Sequence, residues 1–223
     1  MVPPASSPKL QVFSRLAEIA KALGQTHRLE LIEQLAQGPR SVEVLAARTG
    51  LSVANASQHL QLLRRAGLVA TRREGKYVVC RLSDPAILDI LAALRRVAER
   101  NVAEVRQVVA TYFNTRDALE PVSRAVLLGR LRNGLVSVLD VRPEDEFALG
   151  HLPEAINIPL ADLEKRLNDL PRDREVVAYC RGAYCVLSFE AVALLRAHGF
   201  TVRRLEDGYP EWKASGMPVE EAA

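Results

Sequence analysis

The stretch Leu51-Ser52-Val53-Ala54-Asn55-Ala56-Ser57-Gln58-His59-Leu60 decides the first half of the fold. Ser52 is a helix-capping residue type, and the pattern after it predicts a helix that runs to Ala66 and stops at Gly67. Just upstream, Ser41 caps a shorter predicted helix, Val42 to Thr49, ended by Gly50. Further back, Leu10 to Gly24 places Leu10, Phe13, Leu16, Ala17, Ala20 and Leu23 on one helical face. His27 to Gln37 repeats the pattern and ends at Gly38-Pro39. Downstream, Leu68 to Arg72 and Tyr77 to Leu82 read as strands around the turn Arg73-Glu74-Gly75-Lys76.

A short helix, a glycine turn, a second helix and a charged hairpin form the order of a winged helix-turn-helix. There the second helix enters the major groove of DNA with its N-terminal half against base edges. Ser52, Asn55, Ser57, Gln58 and His59 are polar groups suited to base edges. Arg64, Arg65, Arg72, Arg73 and Lys76 are candidates for phosphates, which position a protein without reading sequence. Charge agrees with that division. Residues 1–110 hold 16 Lys+Arg against 9 Asp+Glu, and residues 111–223 hold 14 against 18, within a net charge of +3. A basic half and an acidic half suggest that only the first meets a polyanion.

Asp84-Pro85 starts a long predicted helix whose apolar stripe runs Ile87, Leu91, Leu94, Ala98, Val102, Val105, Val109 and Tyr112. One small core cannot bury so long a stripe, which points to a dimer interface, the alternative being a helix folded back on its own domain. Residues 114–121 are polar and read as a linker between domains at 10–113 and 122–220; residues 1–9 are expected to be disordered. Beyond the linker, helices are predicted at Ser123 to Leu131, Leu160 to Leu170 and Val186 to His198. Strands are predicted at Leu135 to Val141, Glu175 to Tyr179 and Thr201 to Leu205, an alternation that implies a parallel α/β sheet. The expected fold class is thus a mainly α winged helix-turn-helix followed by an α/β parallel sheet. Three cysteines, with no secretory leader or apolar run of membrane length, argue against a disulfide scaffold and for a cytoplasmic protein with no membrane partner.

Thr26-His27-Arg28-Leu29, Leu51-Ser52 with Ser57-Gln58-His59-Leu60, Leu63-Arg64-Arg65-Ala66-Gly67-Leu68-Val69 and Arg73-Glu74-Gly75-Lys76-Tyr77 together resemble the ArsR/SmtB family of repressors. The resemblance covers roughly residues 10–113. It implies a homodimer paired through its first and last helices on a near-palindromic double-stranded operator. Many members sense metals, but two of the family's ligand sets are absent: Ser41-Val42-Glu43-Val44-Leu45-Ala46 carries no cysteine pair, and no histidine lies between Asp84 and Phe113. Soft metals need clustered Cys or His, so no metal and no cofactor is expected. Cys80, on the wing, reads as a small buried hydrophobe.

The second half contains Tyr179-Cys180-Arg181-Gly182-Ala183-Tyr184-Cys185 between a predicted strand and a predicted helix. Successive backbone N–H groups in such a loop favour an anion, and a following helix N-terminus adds to the same field. Both stabilise a thiolate or persulfide at Cys180, with Gly182 expected at positive φ and Arg181 as a cation at the mouth. Cys185 reads either as the first buried residue of the helix or as a thiol that resolves a modified Cys180 into a disulfide. A phosphatase or arsenate reductase would need arginine where Val186 stands. The flanking sequence, Leu139-Asp140-Val141-Arg142 through Gly150-His151-Leu152-Pro153-Glu154-Ala155-Ile156-Asn157-Ile158-Pro159, and the ending Leu205-Glu206-Asp207-Gly208-Tyr209 to Val219, are similar to the rhodanese signature over about residues 122–220. The resemblance implies that Cys180 carries sulfur, in a site of Cys180, Arg181, Gly182, Ala183, Tyr184 and Cys185. Asp140, Arg142 and His151 match family positions and read as structural.

The combined expectation is a DNA-binding regulator, repressing as the first resemblance implies, whose rhodanese domain forms a persulfide at Cys180 in response to reactive sulfur or an oxidant. Its partners are an operator, a second copy of the chain, a small sulfur donor and a thiol acceptor. The alternatives are a sulfurtransferase localised by its first domain, and a repressor whose second domain only binds.

Overall fold

The computed structural model describes residues 7–113 and 121–221, without the side chain of Phe113. The expected linker therefore lies outside the described residues except for Pro121, as do residues 1–6 of the expected disordered start. Residues 8 and 9 of that start are helical instead, because Ser7 accepts the Leu10 N–H at 3.3 Å and caps helix α1, Pro8–Leu23. The chain divides into two compact units, Met1–Ile87 and Leu88–Ala223.

In the first unit, α1 is followed by α2 (Thr26–Ala36), β1 (Arg40–Ser41), α3 (Val42–Arg48), α4 (Val53–Arg65), β2 (Val69–Glu74) and β3 (Tyr77–Leu82). The three strands form an antiparallel sheet in the order β1-β3-β2. Ser41 and Ser52 cap α3 and α4 as expected, accepting from Val44 N and Asn55 N at 3.4 and 3.2 Å. Each such cap stabilises by about 1 kcal/mol. Gly50 turns the chain between those helices at φ 65°, where a side chain would be strained. Leu31, Ile32, Leu45, Leu60, Leu63 and Cys80 are buried in this unit's interior. Burial pushes the Cys80 thiol above its usual range.

The second unit includes α5 (Ala86–Asn101) from Leu88 onward, and Ile87 is the helix's one fully buried residue. The continuous helix expected to Tyr112 is not formed. Val102 adopts extended φ/ψ, a short α6 (Ala103–Val108) follows, and a π-helical turn spans Val109–Phe113. No proline or glycine marks the break. Val102 is itself exposed, so no burial of its side chain favours the helical conformation there.

Next come α7 (Arg124–Arg132), β4 (Val136–Asp140), α8 (Glu144–Ala148), β5 (Ile156–Asn157), α9 (Leu160–Leu163) with a 3-10 turn Glu164–Asp169, β6 (Glu175–Tyr179), α10 (Val186–Ala197), β7 (Val202–Arg204) and α11 (Tyr209–Ala214). The sheet is parallel, ordered β5-β4-β6-β7. Side chains alternate across it. Val176 and Ala178 join one core with Leu139, Val192 and Leu195, while Val177 and Tyr179 join the other with Val138, Leu205 and Trp212. Burial on both faces explains why β4 and β6 read as apolar runs. Trp212, fully buried, donates its indole N–H to the Pro218 carbonyl at 2.7 Å.

Candidate functional sites: a recognition helix and a cysteine loop

On α4, Asn55 and Gln58 are exposed, three residues apart on one side of the helix. Ser52 is exposed but spends its hydroxyl on the cap, and Ser57 is half-buried. His59 is half-buried. Its Nδ1 is buried without a hydrogen-bond partner and its ring lies 6.0 Å from that of His27. Burial, then Arg28 and His27, pull its pKa below the ordinary value. Arg64 and Arg65 are exposed at the far end of α4, about 14 Å along the axis from Asn55. On the hairpin, Arg72, Arg73 and Lys76 are exposed; Arg72 pairs with Glu74, and the Lys76 ammonium sits 5.2 Å from the centre of the Tyr77 ring.

The cysteine loop leaves the C-terminal end of β6, a central strand, where ligands of open α/β sheets bind. Its two thiols are not free: Cys180 and Cys185 are joined in a disulfide, with Cα atoms 6.2 Å apart, and both are buried. Helix α10 starts after Cys185, which occupies the N-cap position, so the helix field acts first at Cys185 rather than at Cys180. The loop is tied down by the Cys185 N–H donating to the Gly182 carbonyl at 3.1 Å and by the Tyr209 N–H donating to the Cys180 carbonyl at 3.1 Å.

Two expectations about this loop need correction. Arg181 does not stand as an open cation; its Nε and Nη2 pair with both oxygens of the fully buried Glu146 at 2.7 to 3.2 Å. Glu146 lies 35 residues before Arg181, and nothing in its local sequence marks the pairing. Gly182 is not at positive φ either. The glycine that the loop requires is Gly208, since a Cβ there would lie 2.3 Å from the Gly182 nitrogen and 2.4 Å from the Arg181 carbonyl carbon. Glu211 holds this contact by accepting the Gly208 N–H at 3.1 Å, and burial, with Asp207 adding, raises its pKa.

Ala183 is half-buried and Tyr184 exposed. The Tyr184 hydroxyl donates to Glu99 on α5, within the same unit, and the Arg95 guanidinium lies 5.7 Å from its ring centre. Burial first and Glu99 second raise the phenol well above its usual range. Asp140 and Arg142 form a fully buried pair at 2.6 to 3.0 Å, and Arg142 also donates to the Gly150 carbonyl at 2.8 Å. Arg142 lies 4.4 Å from the Tyr209 ring centre, beneath the segment that carries Gly208. His151 stacks on Phe147 at 3.7 Å. These groups position the loop's surroundings. Among the described residues no group of three or more His, Cys, Asp or Glu could hold a metal ion, and no helix is long and apolar enough to cross a membrane.

A helix-turn-helix unit with a charged hairpin, followed by a parallel sheet that carries a cysteine loop, defines a two-domain DNA-binding protein. Family comparison matches a helix-turn-helix domain at residues 17–72 and a rhodanese-like domain at residues 123–215. The HTH-type transcriptional regulator Rv0324 of Mycobacterium tuberculosis is 41% identical over 218 residues, spanning 98% of this chain and 96% of that one. A protein named sulfurtransferase from Allochromatium vinosum is 34% identical over 38% of this chain and 78% of its own. The solution structure of a homodimeric winged helix-turn-helix domain from Mycobacterium bovis, described as a possible ArsR-family regulator, is 34% identical over 47% of this chain and 95% of its own, with a TM-score of 0.41. The chain belongs to the family of HTH-type transcriptional regulators that join an N-terminal helix-turn-helix domain to a C-terminal rhodanese-like domain.

Proposed function

We propose that the chain is a cytoplasmic, homodimeric repressor that answers to reactive sulfur through Cys180 and Cys185. The observation that carries this reading is the pairing of those two cysteines at the end of β6. Starting from the dithiol, the Cys180 thiolate attacks the outer sulfur of a persulfide R–S–SH. A Cys180–S bond forms, the R–S–S bond breaks, and the electron pair leaves with R–S⁻. The Cys185 thiolate then attacks Cys180 Sγ and expels HS⁻. The cysteines lose two electrons, the sulfane sulfur gains them, and both anions take protons from solvent. The loop passes from an open dithiol to a closed bridge, and operator affinity changes with it.

Exposed apolar residues on α1 (Leu10, Val12, Phe13, Leu16) and on α5 (Ile90, Leu94, Val97) support a second copy as partner. Ser52, Asn55, Ser57, Gln58 and His59 remain the proposed base-side set, with Asn55 and Gln58 foremost. Arg64, Arg65, Arg72, Arg73 and Lys76 are proposed for phosphates. The deciding experiment measures operator binding by wild type and Cys180→Ser, each before and after polysulfide, at one fixed salt. Loss of binding in wild type alone is expected; unchanged binding in both overturns the sensor. A second reading, a sulfurtransferase localised on DNA, is favoured by the relative that bears that name. Sustained turnover of a sulfur donor by protein whose operator binding ignores polysulfide would establish it.

A further inference from the structure

The persulfide reading leaves open what carries the sulfur, and the neutralised loop arginine sharpens that question. With Arg181 committed to Glu146, the loop itself offers no open guanidinium to an anionic donor. Cations stand instead along a cleft of about 640 Å³ that the second unit forms against Ala183 and Tyr184 of the loop. Its walls carry Arg95 and Arg96 from α5, Arg124 from the start of α7, and Arg204 from β7. Three carboxylates, Glu99, Glu206 and Asp207, also line it, so the lining holds an excess of positive charge. Asp207 serves two cations at once, Arg124 at 3.1 Å and Arg95 at 3.7 Å. Glu99 accepts from the Tyr184 hydroxyl. Arg96 is exposed and has no ion-pair partner among the described residues.

Size and wall chemistry narrow the ligand. The cleft falls in the range of about 300–1,000 Å³ typical of small-molecule sites, far more than a bare thiosulfate ion occupies. Phe189 and Met217 supply apolar wall beside the guanidinium groups. A carbon chain ending in a carboxylate satisfies both features.

We propose that this cleft binds the carrier of the sulfur donor, a small organic persulfide bearing a carboxylate, and that α5 completes the site through Arg95 and Arg96. The inference rests on the persulfide reading above and adds its substrate class. The chemistry is the first step already written, with the departing thiolate retained among the arginines. A direct consequence is linkage: a ligand held partly by α5 favours one placement of that helix against the loop, so its affinity and the helix equilibrium change together.

The test uses the full chain, reduced beforehand, and fresh persulfides of 3-mercaptopropionate, 2-mercaptoethanol and cysteamine, which differ in carrier charge. Mass spectrometry with alkylation of the remaining thiols reads the rate at which the reduced cysteines close into the Cys180–Cys185 bridge. Wild type is expected to favour the anionic carrier over the cationic one by about tenfold at low salt. Arg96→Glu should abolish that preference, while Lys165→Glu, an exposed charge reversal outside the cleft, should keep it. An equal preference in wild type and Arg96→Glu overturns the site. Calorimetry with 3,3′-thiodipropionate, which has the carboxylates but no sulfane sulfur, separates this proposal from its parent. Binding that Arg96→Glu destroys upholds the cleft even if no persulfide closes the bridge, an outcome that would sink the persulfide reading alone. Binding that is absent, or indifferent to Arg96→Glu, sinks the cleft.

Discussion

At the scale of single residues, the loop depends on a contact that no motif in the loop displays. Gly208 touches the backbone of Arg181 and Gly182, so Gly208→Ala forces a β-carbon into main chain rather than into a side chain that could swing aside. Overpacking of this kind costs about 1–3 kcal/mol. Thermal or urea unfolding should show that loss, together with faster alkylation of the reduced cysteines as the loop lifts. Asp140→Asn should cost more, about 3–5 kcal/mol, because it leaves the Arg142 charge buried and uncompensated. A loss below about 1 kcal/mol in chemical denaturation would refute that structural role. The cysteines themselves were legible from Tyr179-Cys180-Arg181-Gly182-Ala183-Tyr184-Cys185, because loop position is a local property. The fate of Arg181 was not, since its partner lies 35 residues upstream and only the packed sheet brings the two together. The neighbour of His59 is hidden in the same way: that its ring lies beside His27 follows from how α2 packs on α4.

At the scale of elements, periodicity located the secondary structure wherever an element buries a full face. α3, α4 and the paired strands of the wing follow their caps and turns, and β4, β6 and α10 follow their apolar runs. Two strands, β1 and β5, escape because two residues are too few for a period. The interruption at Val102 escapes for the opposite reason: the stripe continues through it, although the backbone does not. One acid clamp belongs to this scale. Glu175, at the start of β6, joins β7 through Arg203 at 2.6 Å and α7 through Arg130. Burial opposes its charge, but the two arginines outweigh burial and hold the pKa below its usual 4.5. The sign follows from linkage. The clamp contributes fully above the unfolded carboxylate value and is lost as pH falls through the lower folded one. Wild type should therefore lose stability more steeply than Glu175→Gln on acidification below about pH 4.5, as acid titrations of the unfolding midpoint would show.

At the scale of the whole molecule, charge is divided between the two halves, basic over residues 1–110 and acidic over residues 111–223. Operator affinity should fall steeply with salt, and Lys76→Ala should reduce the slope of log K against log[salt] by about one while weakening all sequences alike. An unchanged slope would remove Lys76 from the phosphate-contacting set. The same two-part build also gives the protein an internal reporter. Trp212 is the chain's only tryptophan and is sealed in the core of the rhodanese unit against the Pro218 carbonyl. Its emission follows that unit alone, whereas far-ultraviolet circular dichroism sums the helices of both. Whether the melting curves from these two signals superimpose will show whether the helix-turn-helix half and the rhodanese half come apart as one cooperative body or as two.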